Sequence, residues 1–76
     1  MTDEERLHFC EALAEVSYAK MYDDINATDA AARYSDAKEA LHDAIGLARR
    51  LGQTEASQRL ETRLEHVKSV FRSQFS

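Results

Sequence analysis

The chain of 76 residues contains no proline and no tryptophan, only two glycines and a single cysteine. One cysteine cannot form a disulfide within the chain, and it is too few for the usual structural zinc sites. Proline and glycine are the residues that most often interrupt helices, so their scarcity favours long helices. A chain of this length is expected to form one domain with a thin core, which depends on good helix packing or on self-association.

Long apolar runs are also lacking, since none approaches the ~20 residues that cross a bilayer. The N-terminal sequence MTDEER is acidic, whereas signal and transit peptides are basic in this region. We therefore expect a cytoplasmic protein that has no membrane partner.

The charge of the chain is unevenly distributed along its length. The net charge is −4, and residues 1–28 alone contribute −5, from seven acidic and two basic side chains. The basic residues near the C-terminus are interleaved with Glu61 and Glu65, which is typical of a solvated helix face. An acidic chain without a basic stripe is a poor candidate for binding nucleic acid, so we expect no nucleic-acid partner.

Three segments have the apolar spacing of amphipathic helices, and we predict helices near residues 3–24, 29–51 and 55–74. At the start of the first, Thr2 and Glu5 form a capping-box pattern. The predicted core face of this helix is Leu7, Cys10, Ala14, Ser17 and Met21. We expect Leu13, Tyr18 and Ile25 to widen that face.

The second segment has the most regular spacing in the chain. Its predicted core face follows steps of four and three residues through Ala30, Tyr34, Ala37, Leu41, Ala44, Ala48 and Leu51. Thr28 is predicted to cap the start of this helix, and Gly52 suits the position after its last turn. Ile45 and Leu47 flank the predicted face.

The third segment is predicted to be capped by Thr54. Its core face is Ser57, Leu60, Leu64, Val67 and Phe71. Because both connections are short, neighbouring helices should run antiparallel. The sequence thus predicts an all-α, up-down-up three-helix bundle with residues 1–76 as a single domain. The residues expected to be buried are Leu7, Met21, Ala37, Leu41, Ala44, Leu60, Leu64 and Val67.

Residues 34–48 resemble the second helix of a tetratricopeptide repeat. The motif positions are matched by Tyr34, Ala37, Leu41, Ala44 and Leu47. The same helix is loosely similar to the three-helix domains that bind helical tails in membrane trafficking. This resemblance implies a groove between helices that accepts a peptide or a partner helix. Positions of the preceding repeat helix do not match, since Met21, Asp24, Ile25 and Thr28 occupy them, and there is no second copy of the repeat.

Residues 42–52 resemble the motif of histidine phosphotransfer domains. The matched positions are His42, Gly46, Ala48, Leu51 and Gly52. The resemblance implies that His42 accepts a phosphoryl group and that Gly46, one turn later, leaves room for it. Ile45 occupies the place of the lysine that neutralises phosphate in that family, and the family's bundle has four helices. Lys38 and Arg49 are the nearest replacements in sequence.

The sequence leaves three explanations for Gly46 open. A glycine within a helix costs about 1 kcal/mol relative to alanine. It either makes room beside His42, or allows close packing against another helix, or is a tolerated fault on the surface.

No residue pattern predicts an enzyme, a metal site or a bound cofactor. Two Glu-x-x-His pairs, Glu5 with His8 and Glu39 with His42, have a spacing used by metal-binding bundles, but we expect both pairs to face outward. Cys10 lies on the predicted core face, where a cysteine behaves as a small apolar residue. A three-helix bundle of this size rarely has room for a substrate pocket, so we expect no small-molecule substrate.

The leading hypothesis is a non-catalytic module that binds a protein partner or a second copy of itself. Four apolar residues at face edges or at the chain end are the predicted interaction residues: Phe9, Val16, Val70 and Phe75. The alternative is a phosphotransfer protein that uses His42, with Gly46, Lys38 and Arg49 around it.

Overall fold

The structure is a computed structural model that describes residues 1–23 and 27–75, with side-chain surroundings for residues 1–21 and 29–73. Three α-helices account for nearly all of these residues: α1 (Asp3–Asp23), α2 (Ala27–Arg50) and α3 (Thr54–Phe75). Their bounds lie within two residues of the predicted ones, and the all-α class is confirmed. Within the described ranges, none of the helices combines the length and the apolar character needed to span a bilayer.

The start of α1 is fixed by the predicted capping box. The Glu5 amide donates to Thr2 Oγ1 at 3.1 Å, and the Thr2 amide donates to Glu5 Oε1 at 3.2 Å. Two amides that have no partner within the helix are thereby satisfied. The acidic side chains of the first turn add a favourable interaction with the helix dipole.

The turn between α2 and α3 is a Schellman motif centred on Gly52. The Gln53 amide donates to the Ala48 carbonyl at 2.8 Å, and the Gly52 amide donates to the Arg49 carbonyl at 3.1 Å. This geometry requires a left-handed backbone at Gly52, whose φ is 73°. The predicted role of Gly52 is confirmed.

The two other predicted caps are displaced from the helix starts. α3 begins at Thr54, and the Ser57 amide donates to the Gln53 carbonyl at 3.0 Å. Gln53 therefore occupies the cap position, and the prediction of Thr54 is wrong by one residue. α2 begins at Ala27, so Thr28 lies inside its first turn, and its side chain lies outside the described side chains. Ile25 also lies outside the described residues.

The direction of each helix follows from contacts between side chains. α1 and α3 run parallel, since three contacts join residues 48 positions apart: Glu11 with Arg59, Glu15 with Arg63, and Tyr18 with His66. α2 runs against both. Its last residue, Arg50, pairs with Asp3 of α1 at 3.7 Å, and Tyr34 near its start stacks on Phe71 near the end of α3. The up-down-up order is confirmed.

The core is centred on α2. All eight residues predicted to be buried are buried, and Ala30, Ala40, Ile45, Leu47 and Ala48 join them from α2. The many alanines of α2 have short side chains, which lets both neighbouring helices approach closely. Because α2 packs on two sides, it buries a wider face than either neighbour.

Long polar side chains connect α1 and α3 along one side of the molecule. Glu15 accepts two hydrogen bonds from Arg63, at 2.8 and 3.0 Å, and the Tyr18 hydroxyl lies 3.2 Å from His66 Nε2. A groove between the two helices is lined by Glu15 and Arg63 together with the buried Leu41 and Leu60. The molecule is correspondingly flat, with Cα extents of 38 × 23 × 13 Å.

Candidate functional site

An exposed apolar stripe runs along α1 on the side away from α3. It consists of Phe9, Leu13 and Val16, which are 60%, 43% and 50% exposed. Steps of four and three residues place these side chains on one face of the helix. We call these three residues the α1 stripe. Three neighbouring large apolar side chains left in water are typical of an interaction surface.

Two members of the α1 stripe were predicted and one was not. Phe9 and Val16 are exposed, as the interaction hypothesis expected, whereas Leu13 was expected to widen the core face. That expectation is wrong because the face that α1 buries is limited to Leu7, Ala14, Ser17 and Met21. Leu13 is four residues after Phe9 and three before Val16, and this spacing could have placed the three side chains on one helix face from the sequence alone.

A groove lies beside the α1 stripe, where α1 meets α2. It encloses about 400 Å³ and is lined by Phe9, Cys10 and Leu13 from α1 and by Asp36, Glu39, Ala40 and Asp43 from α2. Its α1 side is apolar, and its α2 side carries three carboxylates. We call it the α1–α2 groove and call those three carboxylates its acidic rim. The rim was not predicted, because only the packing of α2 against α1 brings it beside Phe9 and Leu13.

Among the residues that the structure describes, two of the three rim carboxylates have no ionic partner. Asp36 lies 3.9 Å from Arg33, while Glu39 and Asp43 form no ion pair with any described part of the chain. Asp36 and Asp43 are seven residues apart and thus share a helix face. The rim is therefore a band of negative charge that extends along two turns of α2.

Cys10 contributes a half-buried thiol to the α1–α2 groove. Burial raises the pKa of this thiol, the nearby Asp43 carboxylate raises it further, and Arg6 opposes the shift. The thiol is accordingly held in its protonated form near neutral pH, in which it is a poor nucleophile. This agrees with the interpretation of Cys10 as a small apolar residue.

The other two predicted interaction residues do not join the α1 stripe. Val70 is half-buried on α3, four residues after His66 and thus in the row of side chains that faces α1. The α1 stripe lies on the opposite side of α1, so Val70 is not part of it. The side chain of Phe75 lies outside the described side chains.

His42 is exposed on α2 and lines a shallow depression of about 250 Å³ with Arg6, Asp43, Gly46, Leu47 and Arg50. A Cβ atom added at Gly46 would meet nothing within 4 Å outside its own helix. The hypothesis that Gly46 allows close helix packing is therefore wrong. The open space is adjacent to His42. Two explanations for Gly46 remain: it makes room beside the imidazole ring of His42, or it is a tolerated fault on the surface.

The cations near His42 are not the predicted ones. Lys38 lies with its Nζ 4.7 Å from the centroid of the Tyr34 ring, and Arg49 pairs with Glu61 of α3. Both are thus engaged away from His42, which contradicts their proposed role as replacements for the missing lysine. Arg6 and Arg50 line the depression instead.

Both of these arginines contact the same carboxylate. Asp3 lies 3.8 Å from Arg6 and 3.7 Å from Arg50. Arg50 lies one turn after Gly46, so its position near His42 could have been inferred from the sequence. Arg6 reaches the depression only because α1 packs on α2.

The described residues contain no group of three histidine, cysteine or acidic side chains placed to hold a metal ion. Comparison with known proteins adds no relative, since no protein-family model, no curated protein and no solved structure matches the chain.

Proposed function

We propose that this protein is a non-catalytic helical module that binds another protein through the α1 stripe. The observation that carries this proposal is the exposure of Phe9, Leu13 and Val16 on one helix face. Burying a side chain of this kind completely contributes about 1.5–3 kcal/mol. A partner that covers these three half-exposed side chains thus gains about 2–5 kcal/mol from the stripe alone, and its contacts beyond the stripe offset the remaining cost of docking.

The α1 stripe is separate from the residues that hold the fold together. The core is formed by the opposite face of α1, by both flanks of α2 and by one face of α3. None of the three stripe residues belongs to it, so the stripe is available to a partner without any change in the fold. Anchors spaced by three and four residues are suited to a helical partner segment.

Site-specific photo-crosslinking in the native cell tests this function without assuming a partner. A benzophenone amino acid replaces Leu13 in one protein and Thr62 in a matched control, because Thr62 is an exposed residue on α3. We expect a discrete adduct from position 13 that position 62 does not give. Identical adducts from both positions, or none from position 13, would contradict the function.

A second candidate function is phosphotransfer through His42. The observation that favours it is the depression in which Arg6 and Arg50 lie with His42 beside the open space at Gly46. Two guanidinium groups there would offset the charge of a phosphoryl group in the way that the lysine absent at Ile45 would have done. In the reaction, an imidazole nitrogen of His42 would attack phosphorus, and the bond from phosphorus to the leaving group of the donor would break.

Phosphoramidate, a small phosphodonor, provides the test of this second candidate. Attack by His42 on its phosphorus would release ammonia and leave a phosphorus–nitrogen bond on the protein, which ³¹P NMR detects. Phosphotransfer predicts faster labelling of the wild type than of His42→Gln, with His8→Gln as the matched exposed control. Labelling that is equal in all three proteins would refute a special role for His42.

A further inference from the structure

The α1–α2 groove has two walls of different character, and this difference restricts the partner. Phe9 and Leu13 form an apolar wall on α1, and the acidic rim forms the other wall on α2. From this pairing we propose that the occupant of the groove is a basic amphipathic helix of another protein, with apolar anchors against the α1 stripe and lysines or arginines along the acidic rim. The inference rests on the proposed function and names the chemistry of its partner.

Cations of a partner can pair only with carboxylates that are not already engaged. Glu39 and Asp43 have no ion pair within the described part of the chain, and the ion pair of Asp36 with Arg33 is long, at 3.9 Å. An apolar partner surface laid over the groove would remove water from these carboxylates without replacing it, which is costly. A partner whose cations lie beside the acidic rim supplies opposite charge where the water is lost.

The spacing of the two walls sets the pattern of the partner. The α1 stripe extends from residue 9 to residue 16, and the acidic rim from residue 36 to residue 43. Each covers eight residues, and the seven steps between the first and the last correspond to about 10 Å of helix. The partner therefore presents apolar residues with steps of three and four over at least two turns, and cations with a similar repeat on one flank.

A second copy of this chain fits the groove poorly. A two-fold dimer brings the same surface of each copy together, and the lining of the groove contains three carboxylates and no cation to pair with them. The chain also carries a net charge of −4, and the first turn of α1 contains Asp3, Glu4 and Glu5. Like charges across an interface oppose association.

The test uses two designed helical peptides of about 18 residues, which form five turns. Both carry leucines at helical spacing on one face, and they differ only by lysines or glutamates along one flank. Fluorescence anisotropy measures their binding to the wild-type chain. We expect the lysine peptide to bind at least about tenfold more tightly than the glutamate peptide, and its affinity to fall when NaCl rises from about 0.05 M to about 0.5 M.

Three variants locate the bound peptide. Glu39→Gln with Asp43→Asn neutralises the free part of the acidic rim, and we expect on the order of tenfold weaker binding of the lysine peptide. Glu55→Gln with Glu65→Gln removes the same charge from exposed positions on α3 and should leave its binding unchanged. Leu13→Gln should weaken the binding of both peptides. The single cysteine gives a second readout, because a bound peptide should shield Cys10 from iodoacetamide.

The outcomes separate the partner chemistry from the function itself. If Leu13→Gln weakens binding while the rim and control variants behave alike, the stripe binds helices but the inference of a basic partner is wrong. If no variant changes binding and Cys10 stays reactive, the peptide binds elsewhere, and both proposals lose their support. If sedimentation shows self-association that Leu13→Gln abolishes, the occupant is a second copy, and the inference is overturned.

Discussion

Replacement of Gly46 by alanine is expected to stabilise the protein. The residue lies in the interior of α2 on an exposed face, and an added Cβ meets nothing within 4 Å. Overpacking therefore contributes no cost, and the change removes only the unfavourable helix propensity of glycine. That difference is about 0.8–1.0 kcal/mol in favour of alanine in a helix interior.

The expected change in melting temperature follows from the size of the chain. Unfolding entropies near 2.1 cal/mol/K per residue give about 160 cal/mol/K for 76 residues. A gain of about 1 kcal/mol then raises Tm by about 6 °C, which circular dichroism at 222 nm measures readily.

Gly52→Ala is the matched control for this experiment. Its added Cβ is equally unhindered, but Gly52 has a φ of 73°, which L side chains rarely adopt. Alanine in that region costs about 1 kcal/mol or more, so Tm should fall by a similar amount. A loss of stability in Gly46→Ala, or the same sign of change in both variants, would refute the account of both glycines.

Three further predictions concern the core, the helix cap and the thiol. Ala44→Asp should lower the free energy of unfolding in urea titrations by about 3 kcal/mol or more, because a fully buried position would receive an unpartnered carboxyl. Ala31→Asp, on the exposed face of the same helix, should lower it far less. Thr2→Ala should cost about 1 kcal/mol through loss of the capping box, and no change in urea stability would show that the cap is frayed in solution. Burial and Asp43 raise the pKa of Cys10 in the folded state, so the pH at which alkylation of the thiol accelerates should be higher in the folded chain than in urea. The stability associated with the protonated thiol should be lost as the pH rises through the folded pKa. An alkylation midpoint that is lower in the folded chain would contradict the position of Cys10 in the groove.

Features that depend on nearby residues in the chain were predicted from the sequence. The capping box at Thr2, the turn at Gly52 and the buried alanines of α2 each rest on spacing within one helix, where the geometry is regular. The cap of α3 was misplaced by one residue because Gln53 and Thr54 are adjacent, and one residue is the usual uncertainty of a helix end.

Features that depend on how helices face each other were not predicted. The exposure of Leu13 and the approach of Arg6 to His42 follow from the rotation of α1 against α2, which no local pattern specifies. The polar contacts between α1 and α3 depend on the packing of the helices in the same way. Gly46 was noticed in the sequence, but its surroundings could be decided only from the packed helices.

The α1 stripe as a docking surface for a helix is tested most directly by an NMR titration of the ¹⁵N-labelled chain with the lysine peptide. We expect chemical-shift changes confined to the amides of residues 9–16 on α1 and 36–43 on α2, the two walls of the groove. Changes concentrated on α3, or no changes at peptide concentrations that saturate the anisotropy signal, would contradict it.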